Sequence, residues 1–228
     1  MRLRVATYNV HGWVGRDGKR SPQRILSVLR QIDAHVTVLQ EVTAERTAEA
    51  NTLLQLAQQM GAHATLGPTL TRRSHTFGNA VLSRIPLQTV TRADISVPGR
   101  EPRGALAVEF RIAGRRIRLV AAHLGLHPRE RRYQVQRILA LLGSPLAHVT
   151  LVMGDFNEWW SRGRPLRWLN GRLGVAHAPA TFPSTLPMLA LDRIWVYPAH
   201  CLSALKVHRR APAPVASDHL PLVAEVVI

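Results

Sequence analysis

The chain has 228 residues, of which 46% are hydrophobic, enough for one domain with a sizeable core and ordinary for a globular protein. No apolar run reaches the roughly 18 residues that span a bilayer, MRLRVATYNV enters a strand pattern without a signal-peptide core, and the lone Cys201 rules out an intramolecular disulfide, so a monomeric cytoplasmic protein is expected. Thirty basic against fourteen acidic residues give a net charge of +16, which suits nucleic acid or an anionic membrane surface as a partner, although the basic residues other than Lys19 and Lys206 are all arginine and a compositional bias explains the excess equally well.

In chain order, Leu3 to Val10 alternates as a strand ending in Tyr8-Asn9-Val10-His11-Gly12. Ser21-Pro22 opens a helix with Ile25, Leu26, Leu29 and Ile32 on one face. Val36 to Leu39 is a short buried strand closing on Gln40-Glu41. A helix is expected over Ala44 to Met60, with Leu53, Leu54, Ala57 and Met60 inward and Gly61 beyond its end. Strands follow at Gly78–Ser83, Thr89–Ile95, Ala105–Ile112 and Ile117–Ala122, with Ala113-Gly114 as a hairpin turn. Pro128 opens a helix to Leu142, with Val135, Ile138, Leu139 and Leu142 on one face. The apolar run Val149 to Met153 is a buried strand that Gly154 ends, a short helix lies near Leu166–Leu169, and strands recur at Leu191–Tyr197, Leu202–Val207 and Leu220–Val227. Helices fall between groups of strands without a one-to-one alternation, which favours a mixed α/β layered sandwich over a doubly wound parallel sheet.

The stretch LVMGDFNE organises the rest. Asp155, Asn157 and Glu158 follow its strand at once, and strand alternation sends Asp155 and Asn157 to the same side. Polar groups close other strands too: Asn9, Glu41, His123 and the Ser217-Asp218-His219 triplet, while Asp192 precedes Ile194–Val196. Carboxylates are scarce in this chain, and their gathering at strand ends points to a site. Singly, an asparagine after a strand is a turn residue and a histidine is a surface residue. The ordered set is what outweighs those readings.

Taken in order, TYNVHG, LQEV, AAHL, GDFN, ALDRIWV and SDHLPL resemble the endonuclease/exonuclease/phosphatase superfamily, which includes pancreatic deoxyribonuclease and the abasic-site endonucleases. The resemblance spans residues 5 to 223. It implies an α/β (α+β) fold, a four-layer αββα sandwich of two mostly antiparallel sheets flanked by helices, formed by a single domain over residues 1–228. It also implies cleavage of a phosphate ester with Mg²⁺ (or Mn²⁺), a hard cation that takes oxygen ligands. On that pattern Glu41, Asn9 and Asp218 hold the metal. His219 is general base or phosphate-polarising group, and Asp192 holds its other ring nitrogen and favours the protonated form. Asp155 orients or deprotonates the attacking water, and Asn157 donates to a non-bridging oxygen. His123 matches the other active-site histidine of the deoxyribonuclease branch, where abasic-site enzymes tend to carry tyrosine, a departure that argues against a dedicated abasic-site enzyme. Asn79 in FGNAVLSR and Arg100 and Arg103 in GREPRGAL are candidate substrate contacts, since a guanidinium grips phosphate bidentately.

The family's shared core does not separate its substrates. Net charge and the cluster Trp159, Trp160, Arg162, Arg164, Arg167 and Trp168 favour a nuclease acting on DNA, with bases stacked on tryptophan and phosphates on arginine. Some of those tryptophans are expected in the core. The run PATFPSTLPMLALDRIWV resembles small bacterial stand-alone members, some of which accompany phospholipid-synthesis enzymes, and favours a phosphatase or phosphodiesterase acting on a phospholipid or other small ester. A non-enzymatic nucleic-acid binder would require a broken catalytic position, and none is broken.

Overall fold

Side-chain alternation in the first strand, β1 (Arg2–Asn9), decides the layering. Leu3 and Val5 point into a core between two sheets, whereas Ala6 and Tyr8 point outward into a core covered by helices. The computed structural model describes residues 1–45, 47, 51–71 and 75–228.

The first sheet joins β1 to β2 (Val36–Glu45), β3 (His63–Thr71), β4 (His75–Ser83), β10 (Leu202–Val207) and β11 (Leu222–Val227), in the order β10-β11-β1-β2-β4-β3. The second contains β5 (Thr89–Asp94), β6 (Gly104–Ile112), β7 (Arg115–His123), β8 (Val149–Asp155) and β9 (Asp192–Tyr197), in that order. Among the described residues only β1–β2 and β7–β8 are parallel pairs. Helices α1 (Pro22–Ile32), α2 (Thr52–Gln59) and α5 (Ala213–Ala216) cover the outer face of the first sheet. Helices α3 (Pro128–Leu141) and α4 (Arg164–Leu173) cover that of the second. The result is a four-layer αββα sandwich, and no helix among the described residues is long and apolar enough to cross a membrane.

The sandwich core follows the strand period. In β8, Val149, Leu151 and Met153 face the first sheet, while Val152 faces α3 and α4. Each fully buried side chain of this kind contributes roughly 1.5–3 kcal/mol. Beyond β8, the ring of Phe156 meets Trp195 of β9 edge-on at 4.7 Å, and Trp195 Nε1 donates to Asn170 Oδ1 of α4 at 2.8 Å. These contacts fix the loop that follows Asp155.

Four sequence expectations change here. β2 runs on to Glu45, so the helix foreseen from Ala44 is confined to Thr52–Gln59; its expected residues 46 and 48–50 lie outside those described. On α2, Leu53, Leu56 and Ala57 are buried and Leu54 faces solvent. The strand at His63–Thr71 was not anticipated. Gly154 does not end β8 but lies within it: its φ is +150°, and a Cβ there would meet the Ala122 carbonyl oxygen at 1.8 Å. A side chain cannot fit against the neighbouring strand, which explains the glycine of GDFN.

Candidate active site

The strand registers align the chemistry. In the second sheet His123 pairs with Asp155 and Asp155 pairs with Asp192, so three neighbouring strands present titratable side chains in one row. In the first sheet Asn9 ends β1, and Glu41 stands at an irregularity of β2 where its register against β4 shifts between Leu39 and Val42. Glu41 has φ 55°, the local distortion by which a bulged strand re-aims a side chain.

The two sheets meet through Asn9. Its Nδ2 donates to Glu41 Oε1 at 2.9 Å and to Asp155 Oδ2 at 3.1 Å, while its Oδ1 accepts from the His11 N–H at 3.0 Å. Ser217 locks the C-terminal loop to the same strand end, donating to the Asn9 carbonyl at 2.7 Å and accepting from the His219 N–H at 3.3 Å. Asp155 Oδ1 accepts from the Asn157 N–H at 2.9 Å. Asp155 Oδ2 lies 3.7 Å from both His123 Nε2 and His219 Nε2.

The two histidines differ in charge. Burial opposes protonation of His219, but Asp192 outweighs it with a 2.8 Å hydrogen bond to Nδ1, and Asp155 and Asp218 add to the effect. The ring's pKa rises to about 10. Asp192 Oδ2 also accepts from the Thr181 hydroxyl at 2.6 Å, and its Oδ1 is buried without a partner. His123 is buried and near the Arg103 guanidinium, and its pKa falls to about 3 despite Asp155. It is therefore neutral, so its approaches to Asp155 and Glu41 are not ion pairs. Its Nε2 lies 3.1 Å from Asn157 Nδ2, which also donates to the Leu124 carbonyl at 2.8 Å.

Asp155, Asp192 and His219 have ligand atoms within 4.8 Å of one another. Within that group, Asp192 and His219 are spent on each other. On the opposite side of Asp155 the balance differs. Burial raises the Glu41 pKa, with Asn9 opposing and Asp218 and Asp155 adding to the rise. Such a set of oxygen donors, short of positive charge, has the chemistry of a divalent-cation site.

Glu41, His123, Asp155, Asn157 and His219 line one pocket of about 570 Å³ with Asn79, Arg103 and Asp218, while Asn9 and Asp192 stand behind them, bonded to Glu41 and Asp155 and to His219. Asn79 is tied to the Gly104 carbonyl at 2.9 Å. Arg103 donates to Glu101 at 2.8 Å and has a buried Nε with no partner. Asp218 is half-buried, with His11 Nδ1 at 4.0 Å. Arg100 lies outside this pocket, in an adjoining groove that shares Arg103 and Leu126 with it. Glu158 points elsewhere, pairing in a buried contact with Arg131 Nε at 3.1 Å.

Sequence reasoning did not single out Thr181, Phe182, His11 or Leu126. Phe182 lies beside His219 with ring centroids 4.8 Å apart. Thr181 and Phe182 belong to PATFPSTLP and His11 to TYNVHG, so the signal lay inside stretches already marked. Leu126 carried none.

The family model for the Endonuclease/Exonuclease/phosphatase family matches residues 6–219. The chain belongs to that family. Across 243 aligned residues it is 31% identical to the uncharacterized protein YbhP of Escherichia coli K12, covering 98% of this chain and 96% of that one, and matches YbhP of Shigella flexneri equally. Among solved structures, the family member from Beutenbergia cavernae superposes with TM-score 0.81 at 20% identity, over 100% of this chain and 72% of that one. A functionally unknown conserved protein from Enterococcus faecalis gives 0.79 at 19% identity, with 99% of both chains covered. D. rerio TDP2, solved with a single-strand DNA product, gives 0.73 at 15% identity over 98% of both chains. These likenesses establish the fold, and the family generally hydrolyses phosphate esters.

Proposed function

We propose that this member is a divalent-metal-dependent phosphodiesterase that cleaves nucleic acid, DNA foremost. The observation that carries the reading is the position of Asp155 Oδ2, 3.7 Å from the Nε2 atoms of both His123 and His219, in a pocket flanked by arginine-lined grooves. Glu41, Asn9 and Asp218 would hold Mg²⁺ (or Mn²⁺), which supplies positive charge against the phosphoryl and leaving-group oxygens. Cationic His219 cannot accept a proton at neutral pH, so between the two roles foreseen for it the phosphate-polarising one fits: its Nε2–H donates to a non-bridging oxygen. Asp155 orients the attacking water and takes up its proton. Arg103, with its buried free Nε, is placed to add a second donor. Asn157 would have to release Leu124 or His123 before donating to substrate, so it acts first by holding His123.

The single-strand DNA product in the D. rerio TDP2 structure is consistent with this substrate class. A second reading, a phospholipid or small-ester phosphodiesterase, draws on Leu126 and Trp159, both 71% exposed at the pocket rim.

The test is hydrolysis of plasmid and single-stranded DNA, bis-p-nitrophenyl phosphate and a phosphatidyl-phosphate with Mg²⁺ or Mn²⁺. Wild type should cleave DNA and Glu41→Gln should lose at least about 100-fold, a direct ligand costing no less than the 10–100-fold typical of groups behind the ligands. Turnover of the lipid with intact DNA would sink the nuclease reading.

A further inference from the structure

A second concavity, of about 610 Å³, opens where the loop after β8 meets the starts of α3 and α4. Its wall carries Arg131, Arg132, Arg162, Arg164 and Arg167, with Trp160 two-thirds exposed beside them. Its one acidic residue, Glu158, is consumed by Arg131, whose other donors go to the carbonyls of Gly125 and Leu126. The guanidiniums of Arg132, Arg162, Arg164 and Arg167 have no hydrogen-bond or ion-pair partner among the described residues. Four arginines without a counter-charge around one concavity, three of them exposed, raise the positive potential at its mouth, which favours an anionic ligand there. The ten-residue α4 begins at the same place, and its N-cap Gly163 offers no side-chain cap.

Position says what the anion is attached to. Trp159 lines the catalytic pocket and the next residue, Trp160, lines the arginine pocket, so the two concavities share a wall of consecutive residues. Both indoles are exposed. An exposed indole offers a face on which an unpaired base stacks, and guanidiniums on either side take phosphates. A membrane surface is flat and would meet the rim of this concavity, leaving the arginines on its wall unfilled. A phosphate projecting from a chain enters it.

We propose that the arginine pocket is a second phosphate subsite, holding a neighbouring phosphate of a single-stranded nucleic acid whose scissile phosphate lies at Asp155, with the Trp159–Trp160 ridge as the stacking platform between them. This rests on the nuclease reading for the identity of the chain, while the binding itself needs no turnover.

The experiment measures fluorescence anisotropy of a labelled 12-nucleotide oligothymidylate with the full chain in EDTA across a salt series. Arg162→Glu/Arg167→Glu should weaken binding at least tenfold. It should also flatten the dependence of log K on log salt by about 0.7, the slope that one lost single-strand phosphate contact removes. Trp160→Ala should weaken it roughly fivefold or more. Arg111→Glu/Arg115→Glu, at the far hairpin between β6 and β7, makes the same change of net charge, controls for bulk charge and should bind like wild type. Unchanged binding by the charge-reversal variant, or an equal loss in the far-end control, overturns the subsite. So does a variant that loses only its adhesion to phosphatidylglycerol vesicles. Wild type that fails to hydrolyse bis-p-nitrophenyl phosphate defeats the catalytic reading instead, and the anisotropy series still decides the subsite.

Discussion

His219 and His123 approach the same carboxylate oxygen and carry different charge states, because Asp192 outweighs burial at the first while burial, with Arg103 adding to it, keeps the second neutral. In the metal-free protein, ¹⁵N spectra should show His219 as an imidazolium up to about pH 10 and His123 neutral down to about pH 3. The signs of their effects on stability follow. A histidine raised from about 6.5 contributes stability that is complete below that value and is lost as pH climbs toward 10. For His123 the unfolded chain gains a proton near 6.5 and the folded chain does not, so acidification toward pH 3 destabilises the fold. Asp192→Asn removes the charge that outweighs burial, so its denaturation midpoint should fall less than that of wild type between pH 6.5 and 9.5, and kcat/KM should fall about 10²–10⁴-fold. An equal alkaline fall in both proteins would show that Asp192 does not set the charge of the ring. Asp192 and His219 were legible because each sits in a motif beside a strand. The charge difference between the histidines was not, since it depends on burial and on Arg103, twenty residues before His123 in the chain.

At the scale of elements, the close approach of β7 and β8 is the tightest constraint. Gly154→Ala would place a methyl on the Ala122 carbonyl, and φ +150° denies alanine a relaxed backbone. Unfolding should show a loss of at least about 3 kcal/mol, beyond the usual range for a point change, together with loss of activity, because Asp155 is the next residue. A Gly154→Ala protein with wild-type stability would contradict this packing. Sequence located every described strand but β3, mostly from runs rich in valine, leucine and isoleucine, and in β8 the run is unbroken because both faces are buried. β3 escaped because it is an edge strand with only Gly67 fully buried, and its Gly67-Pro68 pair reads as a turn. The start of α2 was misplaced because Ala44 and Glu45 favour helix in isolation, whereas pairing of β2 with β4 continues past the bulge at Glu41. Leu54 and Leu56 exchanged places since a helix of eight residues gives too few turns to fix the phase of its buried face.

For the molecule as a whole, the family and its layer order could be read from six motifs in sequence, but the bridge between the sheets could not. Nothing local in TYNVHG says that the Asn9 amide reaches Asp155, 146 positions away. The same holds for the arginine pocket: its residues are visible as a basic and aromatic run, yet the part played by Arg131 and Arg132 of α3 emerges only when that helix packs beside α4. A further expectation belongs at this scale. Deleting Leu222–Val227 should abolish both cooperative unfolding and hydrolysis, because β11 lies between β10 and β1 inside the first sheet; a truncated chain that still melts in one sharp transition would refute it.

That position of β11 also has a consequence for the life of the chain in a cell. β1 is made well before β11, and they pair from Arg2–Val227 to Thr7–Leu222. His219 arrives only just before that final strand. Until it does, Asn9, Glu41 and Asp155 lack the Asp218 and His219 side chains that complete the pocket, and the early strands wait beside an open seam. Closing that seam is a slow kind of step, because it ties Asn9 to Ser217, 208 positions along the chain, and with them the two ends of the pocket are made in a single late event.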